Sequence, residues 1–443
     1  MRLRCSILSA LLLLPLAAFA QGAYAPVQLF INSTDGVYAR GDSIRITASV
    51  GPEAEDTLLF QLLTYGQVTC KKKLPRPQGD TLLYTAAFDA PTSCIVRLGP
   101  ASDPKNVTGV GFLVEPASFR PGFETPKDLR GYWDKELKKM RRLKPVVETF
   151  PAEGLEEQDE TEFVCYKIEI NMPSGRPCRG YVAYPRNAGV RSLPIYLFVH
   201  SAGVNKPDKR ATAERAVSYA KMGCIALDIN AHGFEDDMPQ EYYDALDKGE
   251  LHKYATRDFT GVQDYYFHNM YLRDVRALDY AVTLPQWDGK RILVRGTSQG
   301  GGQALALSGI DTRITHVVAI VPALTDLGGC LDGRKCGWPS ALNRKFAPTP
   351  LGPSVLAYHD GATLVSLFKG DLHIEAGNID MTCDPAAVAA AYNNANAVHS
   401  KQIFFFPWLP HTRMDLRNNA DWREAVLKAR DAFIEAAIKP SVR

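Results

Sequence analysis

Apolar and polar positions change rhythm along this chain near residue 118. Before that point short runs alternate with period two: Val27-Gln-Leu-Phe-Ile31, Ile44-Arg-Ile-Thr-Ala-Ser-Val50, Thr57-Leu-Leu-Phe60, Thr81-Leu-Leu-Tyr84, Cys94-Ile-Val-Arg97 and Gly109-Val-Gly-Phe-Leu-Val114. Turn words such as Asp35-Gly36 and Arg40-Gly-Asp42 separate them. Successive side chains of a strand point to opposite faces, so these runs predict a small β-sandwich over residues 21–118. The region holds no Trp, so the Cys and Trp signature of a true immunoglobulin domain is absent. Lys71-Lys-Lys73, beside a Pro-rich stretch, reads as a solvated turn.

After residue 118 the period lengthens. Thr125 and Pro126 suit a helix cap and first turn, and Leu129, Trp133, Leu137 and Met140 then fall at helical spacing. This basic helix is expected to dock its Trp stripe on the larger domain. Strands are predicted near 163–170, 179–184, 195–199, 224–229, 292–295, 316–321, 372–376 and 403–406, with helical stretches between them. That alternation predicts an α/β domain over 119–443 with a mostly parallel central sheet covered on both faces. Between 323 and 361 the pattern lapses into Gly, Pro, Cys and basic residues, an insertion of the length that usually forms a lid or substrate wall. Arg334, Lys335, Trp338 and Arg344 within it are candidate substrate contacts, because an aromatic ring with nearby cations suits a sugar bearing a carboxylate.

The chemistry concentrates at Gly296-Thr-Ser-Gln-Gly300. An apolar strand precedes it and a helix former follows, the context of a nucleophile elbow with Ser298 at the bend and the α/β-hydrolase fold around it. Small flanking residues let strand and helix close around a strained turn. A serine hydroxyl needs a base and an orienting acid, and in this architecture both follow it in the chain. Among the later histidines, His316 and His373 sit in apolar strands, while His359 and His399 fall in helix-like segments. His411 follows a strand end in Pro407-Trp-Leu-Pro-His, where open α/β sheets bind ligands, and is the candidate base. Trp408 in the same loop is a further candidate substrate contact. Asp380, at the tip of the preceding strand, is the candidate acid, ahead of Glu375 and of Asp384, which stands before Pro385 and reads as a helix cap. The amides of Gln299 and Ala202 are the candidate oxyanion donors, with Gly203 the other choice for the second.

The stretch Tyr271-Leu-Arg-Asp-Val-Arg-Ala-Leu-Asp-Tyr280, Trp287-Asp288 and Ser298-Gln-Gly-Gly301, with Gly377-Asn-Ile-Asp380 downstream, resembles the acetyl xylan esterase and cephalosporin C deacetylase family. The likeness runs over roughly residues 120–437. It implies a serine esterase in which Ser298, Asp380 and His411 are nucleophile, acid and base. It also implies acetylated xylan or its oligosaccharides, a plant cell-wall carbohydrate, as substrate. Three family words differ here: Asn230-Ala-His232, His200-Ser-Ala202 and His411-Thr412. These changes near the expected pocket, with the basic loop, leave a second reading in which a uronate methyl ester is cleaved and methanol leaves, as in a pectin methylesterase. A peptidase of this fold would normally carry a larger gating domain, and a non-catalytic polysaccharide-binding relative would lack a triad member.

At the N-terminus, Arg2 and Arg4, an apolar core from Ile7 to Leu16 and Ala18-Phe-Ala20 form a signal peptide over 1–20. Export to a periplasm or the exterior follows. No later run approaches a membrane span. Loss of the leader leaves 49 basic against 49 acidic groups, a balance that gives no electrostatic case for a nucleic acid partner. Cys5 leaves with the leader; among the rest, Cys70 with Cys94 and Cys330 with Cys336 are possible pairs in an oxidising compartment. No Cys or His spacing matches a zinc site, and neither a metal nor another cofactor is expected.

Overall fold

The computed structural model describes residues 24–257, 259–342, 352–411 and 420–439. The leader and Arg344 lie outside the described residues.

Eight strands form the N-terminal unit: β1 (Val27–Ile31), β2 (Val37–Tyr38), β3 (Ile44–Val50), β4 (Thr57–Thr64), β5 (Gln67–Pro75), β6 (Thr81–Ala86), β7 (Thr92–Pro100) and β8 (Thr108–Val114). They make a three-stranded sheet, β1-β3-β6, and a five-stranded one, β2-β8-β7-β4-β5. Val27, Leu29, Ile44, Ile46, Val96, Leu98, Val110 and Phe112 pack between the two sheets, as the period-two pattern requires. Lys71, Lys72 and Lys73 lie not in a turn but in β5, an edge strand whose exposed lysines discourage pairing with another chain.

The larger sheet has nine strands in the order β17-β16-β15-β14-β12-β13-β11-β10-β9. Their spans are β9 (Val147–Pro151), β10 (Phe163–Ile170), β11 (Cys178–Pro185), β12 (Leu193–Val199), β13 (Ile225–Ile229), β14 (Trp287–Thr297), β15 (His316–Ile320), β16 (Asp371–Gly377) and β17 (Ser400–Phe406). From β12 to β17 every pairing is parallel, and β9 to β11 add an antiparallel edge. Strand order reverses in direction between β12 and its two neighbours β13 and β14, the kind of switch point where such sheets open a crevice at their carboxyl ends.

The helix Leu129–Arg141 begins at Leu129 with Asp128 at its cap position, later than the Thr125 expectation, because Pro126 closes a preceding turn by accepting from the Leu129 amide. Its Trp133 is wholly buried, with Nε1 donating to the Tyr358 carbonyl at 2.9 Å. The insertion is no loose flap in its described part. Leu324 and Leu327 are buried, and Asp360 accepts from the amides of Asp326 at 2.8 Å and Leu327 at 2.7 Å. A Cys330–Cys336 disulfide closes its tip, whereas Cys70 and Cys94 are free thiols.

The two units meet at the loops that leave β16 and β17. Asn378 Nδ2 donates to the Asp35 carbonyl at 3.0 Å, and the Gly111 amide donates to Pro407 at 2.8 Å. A Cβ on Gly111 would lie 2.2 Å from the Asn378 carbonyl oxygen, so only glycine permits the approach. Trp408 fills the sandwich core from across this seam, its Nε1 donating to Leu29 at 2.8 Å.

Candidate active site

Strand β14 ends at Thr297, and the helix Gln299–Ile310 starts two residues later, leaving Ser298 to make the whole turn. Its backbone sits at φ 58° and ψ −119°, a strained conformation for a residue with a Cβ. Close packing imposes it. A Cβ on Gly296 would lie 2.2 Å from the Gly300 carbonyl carbon, and one on Gly300 2.1 Å from the Val199 carbonyl oxygen. The third member of the glycine run answers to the insertion rather than the elbow, since a Cβ on Gly302 would meet the Ala323 carbonyl oxygen at 1.9 Å. The Ala323 amide in turn donates to the Ser298 carbonyl at 2.9 Å, bracing the turn from the β15 side.

Three side chains from separate strand ends converge here. Ser298 Oγ is 2.8 Å from His411 Nε2, and His411 Nδ1 is 2.8 Å from Asp380 Oδ2. Asp380 is buried, and its other oxygen accepts from the amides of Thr382 at 2.7 Å and Cys383 at 2.8 Å, which fixes the carboxylate plane. Asp384 caps the following helix, its side chain accepting from the Ala386 amide at 2.9 Å. The arrangement can remove a proton from Ser298 as its oxygen attacks a carbonyl carbon, with the carboxylate holding the imidazole tautomer and offsetting its charge. The other histidines are engaged elsewhere: His359 packs in the core, His373 bonds Glu375 at 2.9 Å, and His399 bonds Asp371 at 2.7 Å.

Cys383 Sγ also lies near, its atom and one from each of Asp380 and His411 falling within 4.8 Å of one another. Burial holds that thiol well above its ordinary pKa, so it stays protonated, and the other two atoms are spent on each other.

Gln299 is the first residue of its helix, so its amide has no acceptor one turn back within the helix. The loop from His200 to Gly203 lies against the same helix start: a Cβ on Gly300 would come within 3.0 Å of the His200 carbonyl oxygen. Beneath the elbow runs a chain of buried polar groups that sequence reading missed. Tyr254 donates to Gln299 Oε1 at 2.5 Å, Gln299 Nε2 to Gln303 at 3.3 Å, and Gln303 Nε2 to Asp274 at 2.7 Å. Helical spacing of Gln299 and Gln303 was the available signal; the partners Tyr254 and Asp274 come from distant segments.

The sequence-derived substrate contacts fare unevenly. Trp408 is a correction: it is buried in the sandwich core and unavailable to a sugar. Arg334 is another, because its guanidinium is spent on Asp326 at 2.8 Å and on the Arg120 carbonyl at 2.6 Å, tying the linker to the insertion. Lys335 donates to the Met381 carbonyl in the acid loop. Trp338 is half-buried, meets Phe267 edge-on, and accepts at its carbonyl from Leu324.

Residues 113–335 match the family model described as acetyl xylan esterase (AXE1). The acetyl esterase Axe7A of Xylanibacter ruminicola is 28% identical over 359 residues, covering 81% of this chain and 77% of that protein. Among solved structures, the acetyl xylan esterase from Paenibacillus sp. R4 superposes with a TM-score of 0.57 at 22% identity, covering 72% of this chain and 98% of that one. Acetyl xylan esterase 1 from Thermoanaerobacterium sp. JW/SL YS485 gives 0.54 at 22% identity, with 71% and 97% covered. The family match ends before Asp380 and His411, so the placement of those two residues is a result of the geometry alone. The chain belongs to the acetyl xylan esterase family and is a serine-type carboxylic ester hydrolase of the α/β-hydrolase fold.

Proposed function

We propose that this enzyme removes O-acetyl groups from xylan-type poly- or oligosaccharides through an acyl-enzyme on Ser298. The observation that carries the reading is the pair of 2.8 Å hydrogen bonds linking Ser298, His411 and Asp380 at a strained elbow. In the acylation step His411 Nε2 takes the Ser298 proton while Oγ bonds to the acetyl carbon, and the sugar oxygen leaves with that proton. The amides of Gln299 and Ala202 receive the developing oxyanion. Water, deprotonated by the same imidazole, then releases acetate. Lys335, which donates to the Met381 carbonyl, is the candidate substrate contact at the acid loop. The relatives' names, acetyl esterase and acetyl xylan esterase, support the acyl group and the polysaccharide.

The methyl-uronate alternative drew on the basic insertion, and Arg334 is no longer free to hold a carboxylate. Incubating the purified protein with acetylated xylan and with methyl-esterified pectin, then assaying acetate and methanol separately, decides between them. Acetate from xylan alone is expected; methanol from pectin at a comparable rate would reverse the assignment. The apolar leader and the Cys330–Cys336 disulfide together support export to a periplasm or beyond. The mass of the mature chain should correspond to a start at Gln21.

A further inference from the structure

A cavity of about 570 Å³, within the range of small-molecule sites, is lined by none of Ser298, Asp380 or His411. Its walls come from the helix Leu129–Arg141, the turn before β11, and the start of the helix Tyr266–Ala281. Four cations line it, Lys139, Arg176, Arg257 and Arg273, against three carboxylates that are each engaged: Glu136 by Lys139 at 3.9 Å and His268 at 3.4 Å, Asp264 by the Thr260 hydroxyl, and Glu250 by Arg176. Arg273 is almost wholly buried, and its Nη2 donates to the Ala231 carbonyl at 2.8 Å while its Nε has no partner. No carboxylate among the described residues pairs with it; the neighbouring Asp274 is within electrostatic reach but is hydrogen-bonded to Gln303. Arg176 pairs with Glu250 through Nη2 at 2.5 Å and leaves Nη1 buried and unpartnered. Arg257, lying over the Tyr266 ring, has no ion-pair partner among the described residues.

A buried guanidinium without an anion costs free energy that a native chain normally recovers from a partner. Here the empty donors, Arg273 Nε and Arg176 Nη1, belong to residues lining the same cavity, as does the unpartnered hydroxyl of Tyr265, itself almost wholly buried. A planar guanidinium fork matches a carboxylate. The volume exceeds what an inorganic anion fills, and the lining also includes the aromatic ring of Tyr266 and the amides of Asn269 and Gln263. Those are partners for a hydroxylated ring. We propose that this cavity binds a carboxylate-bearing sugar, a hexuronate, at a site separate from the ester chemistry. The proposal goes beyond the esterase reading and does not depend on it.

The test is calorimetric titration of the full mature protein with glucuronate, glucose and sulfate. Saturable glucuronate binding is expected, with glucose and sulfate each weaker by about tenfold or more, since each lacks half of the recognised chemistry. The Arg176→Gln/Arg257→Gln double variant should lose glucuronate affinity by about tenfold or more while keeping its unfolding temperature and its p-nitrophenyl acetate activity. If that variant does not fold, Arg257→Gln alone, at an exposed side chain, carries the comparison with a smaller loss in the same direction. Wild-type protein blocked at Ser298 by a fluorophosphonate should still bind glucuronate. Glucose binding as well as glucuronate, sulfate binding as well as glucuronate, an unaltered affinity in the variant, or loss of binding in the blocked enzyme would each overturn the proposal.

Discussion

Trp408→Ala should separate two roles of the seam between the β-sandwich and the catalytic domain. Trp408 stands three positions before the base and is buried among sandwich residues, with Nε1 bonded to Leu29. Truncating a buried Trp costs about 3–5 kcal/mol from lost burial and the cavity left behind. The abandoned Leu29 carbonyl adds about 1–3 kcal/mol if no water reaches it. For a sandwich of this size such a loss lowers its unfolding transition by roughly 10 °C or more. The second consequence is catalytic. Without its anchor the Pro407–His411 loop is left to the Gly111 to Pro407 bond for its hydrogen-bonded hold on the sandwich among the described residues, and a misplacement of about 1 Å in a catalytic group can cost on the order of 100-fold in rate. Trp408→Phe retains most of the apolar filling and loses only the hydrogen bond, so it should lower the transition by less and leave kcat near wild type. Calorimetry for the transitions, and kcat on p-nitrophenyl acetate at a temperature well below all of them, provide the assay. A folded Trp408→Ala variant with wild-type kcat would refute the idea that the sandwich positions the base.

Other outcomes follow from single contacts. Gly111→Ala should depress activity by shifting the Asn378 carbonyl and with it the Asp380 loop, because the added carbon would sit 2.2 Å from that oxygen; circular dichroism and kcat together check it. Burial pushes the Asp236 carboxyl up to about 7 against its hydrogen bond from Asn230, so the folded state holds a proton that the unfolded chain releases near pH 4. Its contribution is therefore full below pH 4 and is lost as pH rises towards 7, and Asp236→Asn should flatten that part of a stability-versus-pH curve measured by denaturant titration. Replacing Cys330 and Cys336 by Ser opens a loop of sequence separation 6 and should cost about 2 kcal/mol of stability, read as a lower urea midpoint.

Local pattern carried the strands of both sheets that alternate or run apolar, and the chemistry of the strand ends. Ser298 is legible because its glycines, strand and helix are contiguous, and Asp384 because Asp-Pro is a cap on its face. β5 and β9 hide in polar, exposed stretches where burial imposes no period. Trp408 and Arg334 show the other limit. A Trp beside a candidate base and an Arg in a basic loop look like ligand contacts until partners from far along the chain, Leu29 and Asp326, are brought to them by tertiary folding. The cavity cations were invisible for the same reason, since Arg176, Arg257 and Arg273 come from three separate segments.

The central claim is that Ser298 forms the covalent intermediate with His411 as its base. Peptide mass spectrometry after fluorophosphonate labelling tests it most directly, paired with the turnover of Ser298→Ala. The account predicts one adduct, on Ser298, and a fall in kcat on the order of 10⁶-fold in the variant. An adduct on another residue, or a Ser298→Ala enzyme that still hydrolyses p-nitrophenyl acetate at the wild-type rate, would contradict it.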